Sequence, residues 1–126
     1  MIRIIIAGSR NFHNHQKMYP ILDELLKDKT HDEIELVSGC CRGADKLGEL
    51  YGYYNNWKVI KFQADWDKYG KAAGAIRNEQ MAKYASEAER GILIAFPIGE
   101  SRGTYNMIKL AKQYGLEVMI YKEDEN

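Results

Sequence analysis

Five short apolar runs alternate with segments of helical period from one end of the chain to the other. That alternation is what parallel strands joined by crossover helices produce, and it restricts the fold more tightly than anything else in the sequence. Residues 2–7 and 92–96 are almost wholly apolar, as strands covered on both faces must be. Residues 57–63 and 116–121 interleave charged and polar side chains, which suits the edges of a sheet, and residues 33–37 fall between these extremes. Right-handed crossovers then give, in the simplest arrangement, strand order 3-2-1-4-5 with the first and fourth strands at the centre.

The connecting segments carry apolar stripes: Met18, Ile21, Leu22, Leu25 and Leu26; Leu47, Leu50, Tyr51 and Tyr54; Met81, Ala82 and Ala85; Met107, Leu110, Ala111 and Tyr114. All four read as core. The expected architecture is a single Rossmann-like, doubly wound α/β domain over residues 1–122, a five-stranded and mostly parallel sheet with helices on both faces. Residues 123–126 read as a solvated tail. A chain of 126 residues has room for one such core and not for two. No apolar run approaches the roughly 20 residues of a membrane span. Eighteen Lys and Arg balance eighteen Asp and Glu, so no net field draws the chain to nucleic acid or anionic lipid, and any polyanion binding must be local. Cys40 and Cys41 are adjacent, which suits neither a relaxed disulfide nor a zinc site; they read as small packing residues in a reducing, cytoplasmic setting. His13, His15 and His31 lack ligand spacing, so neither a metal nor a resident cofactor is expected.

In a doubly wound sheet the ligand crevice lies beyond the carboxyl ends of the strands where strand order reverses. Three loops leave the strands there: Gly8, Ser9 and Arg10; Ser38, Gly39, Arg42 and Gly43; and Glu100, Ser101, Arg102, Gly103 and Thr104. Glycine admits a close approach, helix-start N–H groups face anions, serine offers a hydroxyl, and arginine offers a fork matched to phosphate. Each loop alone reads first as an ordinary strand-to-helix turn; three at one switch point favour a phosphate cradle. Asp45 reads either as a favourable carboxylate in a first helical turn or as a partner for a ribose hydroxyl. Residues 65–74 are longer than a crossover turn needs, and there Trp66 and Tyr69 offer stacking faces and Asp65 an acceptor, unless the stretch is a surface loop anchored by its tryptophan. Arg77 and Asn78 open a helix at the rim, with Arg77 within reach of a phosphate. Neither a Walker A loop nor a Gly-x-Gly-x-x-Gly fingerprint is present.

Taken together, Ala7 to Arg10, Ser38 to Asp45, Ile76 to Glu79 and Ser101 to Thr104 resemble the SLOG superfamily across nearly the whole chain, nearest to its small stand-alone YspA/YpsA-related members. The resemblance implies a Rossmann-like fold, a nucleotide or nucleotide-derived ligand, and a homo-oligomer. One branch of the superfamily, the LOG group, releases ribose 5-phosphate from nucleotides using an Arg early in a helix and a Glu three positions after the Thr of a Gly-Gly-x-Gly-Thr turn. Arg77 matches the first; the double glycine is missing from Glu100 to Thr104, and Met107 stands where the Glu would be. A hydrolase would then have to use Glu79, Glu100 or Asp65 instead. The other branch, the DNA-processing protein A group, binds single-stranded DNA, usually with further domains and a basic surface. The expected function is therefore binding of a phosphate-bearing, nucleotide-like small molecule, with nucleotide hydrolysis second and nucleic-acid binding third.

Overall fold

The computed structural model describes residues 1–124. Its strands are β1 (Ile2–Gly8), β2 (Ile34–Ser38), β3 (Lys58–Lys61), β4 (Arg90–Phe96) and β5 (Glu117–Ile120), all parallel, in the order β3-β2-β1-β4-β5. Its helices are α1 (His15–Leu26), α2 (Ala44–Tyr54), the single turn α3 (Trp66–Tyr69), α4 (Ala73–Ser86) and α5 (Arg102–Gln113). The strand order is the one expected. β1 is the spine, paired with β4 from Ile2 to Gly8 and with β2 from Ile2 to Ile5.

The period of two along each central strand divides the core between two faces. Ile4, Ile6, Leu36, Ile92 and Ile94 pack with Met18 and Leu22 of α1 and Tyr51 of α2. Ile5, Val37, Leu93 and Ala95 point the other way, against Met81 and Ala85 of α4 and Met107 and Ala111 of α5. With both faces covered, the central strands show no solvated face, which is why their sequences run largely apolar without alternation.

Three expectations change. Tyr54 does not belong to a core stripe: it is 81% exposed, and α2 buries Ala44, Gly48, Tyr51 and Gly52 instead. The reason is proximity, since a Cβ on Gly48 would stand 2.9 Å from Ile6 Cγ2; α2 lies so close to the sheet that small residues form its inner face, leaving Leu47 and Leu50 half-buried at the sides. Residues 65–74 are not an open loop but the turn α3, a 3-10 turn and the start of α4. The tail begins later than residue 123, because Glu123 gives its N–H to Pro97 O (3.0 Å) and its carboxylate accepts from Asn14 Nδ2 (3.2 Å). Residues 125–126 of that tail lie outside the described residues.

At the amino ends of the strands a buried carboxylate ties four elements together. Glu35 on β2 accepts from Arg3 Nε of β1 (3.0 Å) and from the Tyr84 hydroxyl of α4, and pairs with Lys58 Nζ of β3 (3.3 Å). Burial works against its charge, but these partners outweigh it and hold the carboxyl below its ordinary range. Removing one member of such a cluster strands the others. Glu35→Ala is expected to cost about 3 kcal/mol of unfolding free energy in urea titrations, whereas Glu35→Leu combined with Arg3→Leu should fall closer to wild type because it leaves neither charge orphaned.

Candidate functional site

At the opposite, carboxyl ends of the strands, the loops are held by one residue. Ser9 donates its N–H to Phe96 O (3.1 Å), and its carbonyl accepts from Phe12 N (3.1 Å) and from Ala44 N (3.3 Å), the first residue of α2. Its hydroxyl accepts from Ile98 N at 2.8 Å. The loops after β1, β2 and β4 are thereby drawn to one point. Gly43 enables the contact: its φ is +82°, and a Cβ there would run into the Ser9 and Arg10 backbone.

Above this junction lies a cleft of two lobes. The larger, about 650 Å³, is bounded by Arg10, Gly39, Cys40, Cys41 and Arg42 on one side and by residues 63–66 with Arg77 on the other. The smaller, about 360 Å³, reaches from Gly8 and Asp45 to the first turn of α5. Arg10, Cys41 and Arg77 line both lobes and form the waist between them.

Arg77 is the most constrained of the three. It is 8% exposed, its Nη1 donates to Gly39 O and lies 3.8 Å from Cys41 Sγ, and its Nε donates to Asn78 Oδ1 (3.0 Å). Asn78 in turn donates to Gly103 O (3.2 Å) and Asn106 Oδ1 (2.9 Å), which joins α4 to the start of α5. Among the described residues no carboxylate forms an ion pair with Arg77. Its guanidinium is thus held by neutral groups, and the side chain lines both lobes of the cleft.

Asp45 stands nearby in the first turn of α2, 6% exposed, accepting from Cys41 N at 3.2 Å. Both it and Arg77 lie against Gly39: a Cβ there would be 3.0 Å from Asp45 Oδ2 and 3.1 Å from Arg77 Cζ. Burial raises the Asp45 carboxyl from 3.8 to about 6, against the opposing pull of the Cys41 N–H and of Arg77, with Glu49 adding to the rise. Glu49, one helical turn further on and 2% exposed, accepts from Ser38 Oγ (2.6 Å) and Lys46 Nζ (3.2 Å).

Of the expected site residues, Gly8, Ser9, Arg10, Gly39, Arg42, Asp45, Asp65, Trp66, Arg77, Asn78 and Glu100 to Thr104 surround the cleft. Four do not. Ser38 is buried with its hydroxyl committed to Glu49, and Gly43 lies behind Ser9 in a purely conformational role. Tyr69 points to solvent, with Lys68 Nζ 5.1 Å from its ring, and Glu79 accepts from the Tyr114 hydroxyl (3.0 Å) away from both lobes. Ser9 borders the smaller lobe but spends its hydroxyl on Ile98. Cys40 and Cys41 are half-exposed walls of the cleft and not the packing residues expected. Glu49 was legible only indirectly, as a second carboxylate four residues after Asp45 on the same face of α2.

A doubly wound parallel sheet with a polar cleft at its switch point places the chain among Rossmann-like α/β proteins. More narrowly, it belongs to the YspA, cpYpsA-related SLOG family, whose family model matches residues 2–69. The chain is 27% identical over 124 residues to the Gene 61 protein of Mycobacterium phage D29, covering 94% of this chain and 95% of that protein. Its fold resembles the X-ray structure of DNA processing protein A from Streptococcus pneumoniae, with a TM-score of 0.54 at 16% identity. That likeness covers 94% of this chain but only 58% of the other. Among the described residues no helix is long and apolar enough to cross a membrane.

The raised Asp45 carboxyl has a consequence for stability. A group that holds its proton more tightly folded than unfolded contributes most below its unfolded value of 3.8, and that contribution is gone once the pH has risen past about 6. Asp45→Asn keeps an acceptor for the Cys41 N–H and carries no charge to desolvate. It is expected to raise unfolding free energy at neutral pH by up to about 3 kcal/mol, with the gain shrinking steadily toward about pH 4. Urea titrations of both proteins across that range check this, and a gain that is constant or grows in acid contradicts it.

Proposed function

We propose that the cleft binds a phosphate-bearing nucleotide or nucleotide-derived small molecule and that the protein senses or sequesters it in the cytoplasm. The observation that carries this reading is Arg77: a guanidinium more than nine-tenths buried, without an ion-pair partner among the described residues, and open to both lobes. A phosphate at the waist would neutralise it and would meet Arg10 from the other side. The N-termini of α2 and α5 border the smaller lobe and add their dipoles in the same sense. Trp66, 51% exposed on the wall of the larger lobe, offers a face for a base.

Cleavage of the bound nucleotide is a second reading, and one feature favours it. Asp45, with a carboxyl pushed up to about 6, would exchange a proton near neutral pH as a general acid must. Glu79, which sequence put forward for that role, faces Tyr114 instead, and Met107 supplies no carboxylate. A nucleic-acid reading draws on the name of the structural neighbour, DNA processing protein A, while the zero net charge of this chain supplies no overall field toward a polyanion.

Mass spectrometry of small molecules released by denaturing the purified protein tests the binding reading directly, followed by calorimetry with the compound recovered. Arg77→Gln is expected to weaken that compound by about ten- to a hundredfold, the worth of a charge-assisted hydrogen-bond pair. No nucleotide-like compound in the released material, together with no thermal shift across a nucleotide library, would sink the proposal. Conversion of the compound on incubation with fresh protein would favour cleavage, and single-strand binding that falls steeply with salt would favour nucleic acid.

A further inference from the structure

The side chain that holds Arg77 is its neighbour Asn78, and the chemistry of that pairing bears on what the cleft can bind. Asn78 is 5% exposed. Its Oδ1 accepts from Arg77 Nε at 3.0 Å, and its Nδ2 gives one hydrogen to Gly103 O (3.2 Å) and the other to Asn106 Oδ1 (2.9 Å). The first bond, with that from Nη1 to Gly39 O, orients the guanidinium; the other two tie Asn78 to the start of α5. Asn78 borders the smaller lobe, yet its donors are committed within the protein.

Elsewhere in the fold the same task falls to a carboxylate. Arg3 Nε is held by Glu35 at 3.0 Å and Arg90 Nε by Glu117 at 2.6 Å, both toward the amino ends of the strands. An aspartate at position 78 would have the same shape as the asparagine and would meet Nε as an ion pair. It would also set a negative charge at the waist, against which a phosphate would have to bind. The amide holds the arginine in place and leaves it cationic. Asp45, against the same Gly39, accepts from Cys41 N and forms no ion pair with Arg77.

We infer that Asn78 is a positioning residue that sets the anion affinity of the cleft: it orients Arg77 through a neutral oxygen and is itself oriented by Gly103 and Asn106. This rests on the phosphate-binding function proposed above, and it gives Asn78 the support of Arg77 in place of a contact with the ligand.

Calorimetry with inorganic pyrophosphate and with ADP tests it on wild type, Arg77→Gln, Asn78→Asp and Asn106→Ala, and on the last two changes combined with Arg77→Gln, with melting temperatures reporting which proteins fold. Asn78→Asp is expected to weaken whichever probe binds by about tenfold, the worth of a charge-assisted hydrogen bond. It should also flatten the salt dependence of binding, because it removes net charge from the waist, which a loss of structure alone does not do. Asn106→Ala changes a side chain that lines neither lobe and should weaken the same probe about threefold; it decides the matter if Asn78→Asp does not fold. Neither change should weaken binding further in the Arg77→Gln background, where the group they act through is gone. Wild-type affinity in both single variants, or losses that persist without Arg77 or leave the salt dependence of Asn78→Asp unchanged, overturn the inference and leave the phosphate reading standing. Binding that Arg77→Gln does not alter, or binding of neither probe, overturns both.

Discussion

The Ser9 backbone is bonded on both sides and its side chain on a third, and the whole upper surface of the molecule takes its shape from that. Its N–H holds the end of β4, its carbonyl holds both the turn into α1 and the first residue of α2, and its hydroxyl holds Ile98 on the way to α5. Each bond alone is worth on the order of 1 kcal/mol. Their joint effect is geometric: three loops that diverge from a parallel sheet are instead tied around one point, and the space between them becomes the cleft. Arg77 completes the arrangement from the far side, bonding Gly39 after β2 and, through Asn78, Gly103 at the start of α5.

The two ends of the sheet treat buried charge in opposite ways. Glu35, at the closed end, sits among Arg3, Lys58 and Tyr84 and is held in its ionised form. Asp45 and Arg77, at the open end, are each bonded to neutral groups, lie against the same glycine, Gly39, and form no ion pair with each other. A stability-driven arrangement would let the two meet as an ion pair. Their separation leaves the guanidinium with donors to spend and the carboxylate with a raised proton affinity, and both face the cleft. Under-satisfied charge of this kind is costly to the fold and is the common mark of a site that finds its missing partner in a ligand.

Much of this was legible in the sequence, for a physical reason that differs between the layers. The strand order followed from β1 and β4, whose almost wholly apolar runs are explained by burial on both faces, and the switch point followed from the strand order. The α2 stripe misled because leucine and tyrosine at helical spacing look like core, whereas a helix pressed against Ile6 needs Gly48 there. At the site, composition located the loops but did not assign work within them. Ser38, the last residue of β2, and Ser101, in the loop after β4, are the same residue type, yet one hydroxyl is spent on Glu49 inside the fold and the other pairs with Thr104 beside the cleft. Gly39 and Gly43 divide in the same way between lining the cleft and permitting a turn. Such choices depend on partners distant in sequence, Glu49 and Ser9 among them, which no local pattern announces.

The family match ends at residue 69, before Arg77 and before the loop from Glu100 to Thr104. It covers the walls of the larger lobe almost completely, while the charged centre of the waist and the hydroxyl pair of the smaller lobe come from the second half of the chain. In a doubly wound sheet this division is structural as well as sequential, because the switch point falls between β1 of the first half and β4 of the second. A ligand held at the waist therefore bridges the two halves. Within one fold, most of the wall of the larger lobe and the α5 wall of the smaller one are thus built by different segments of the chain.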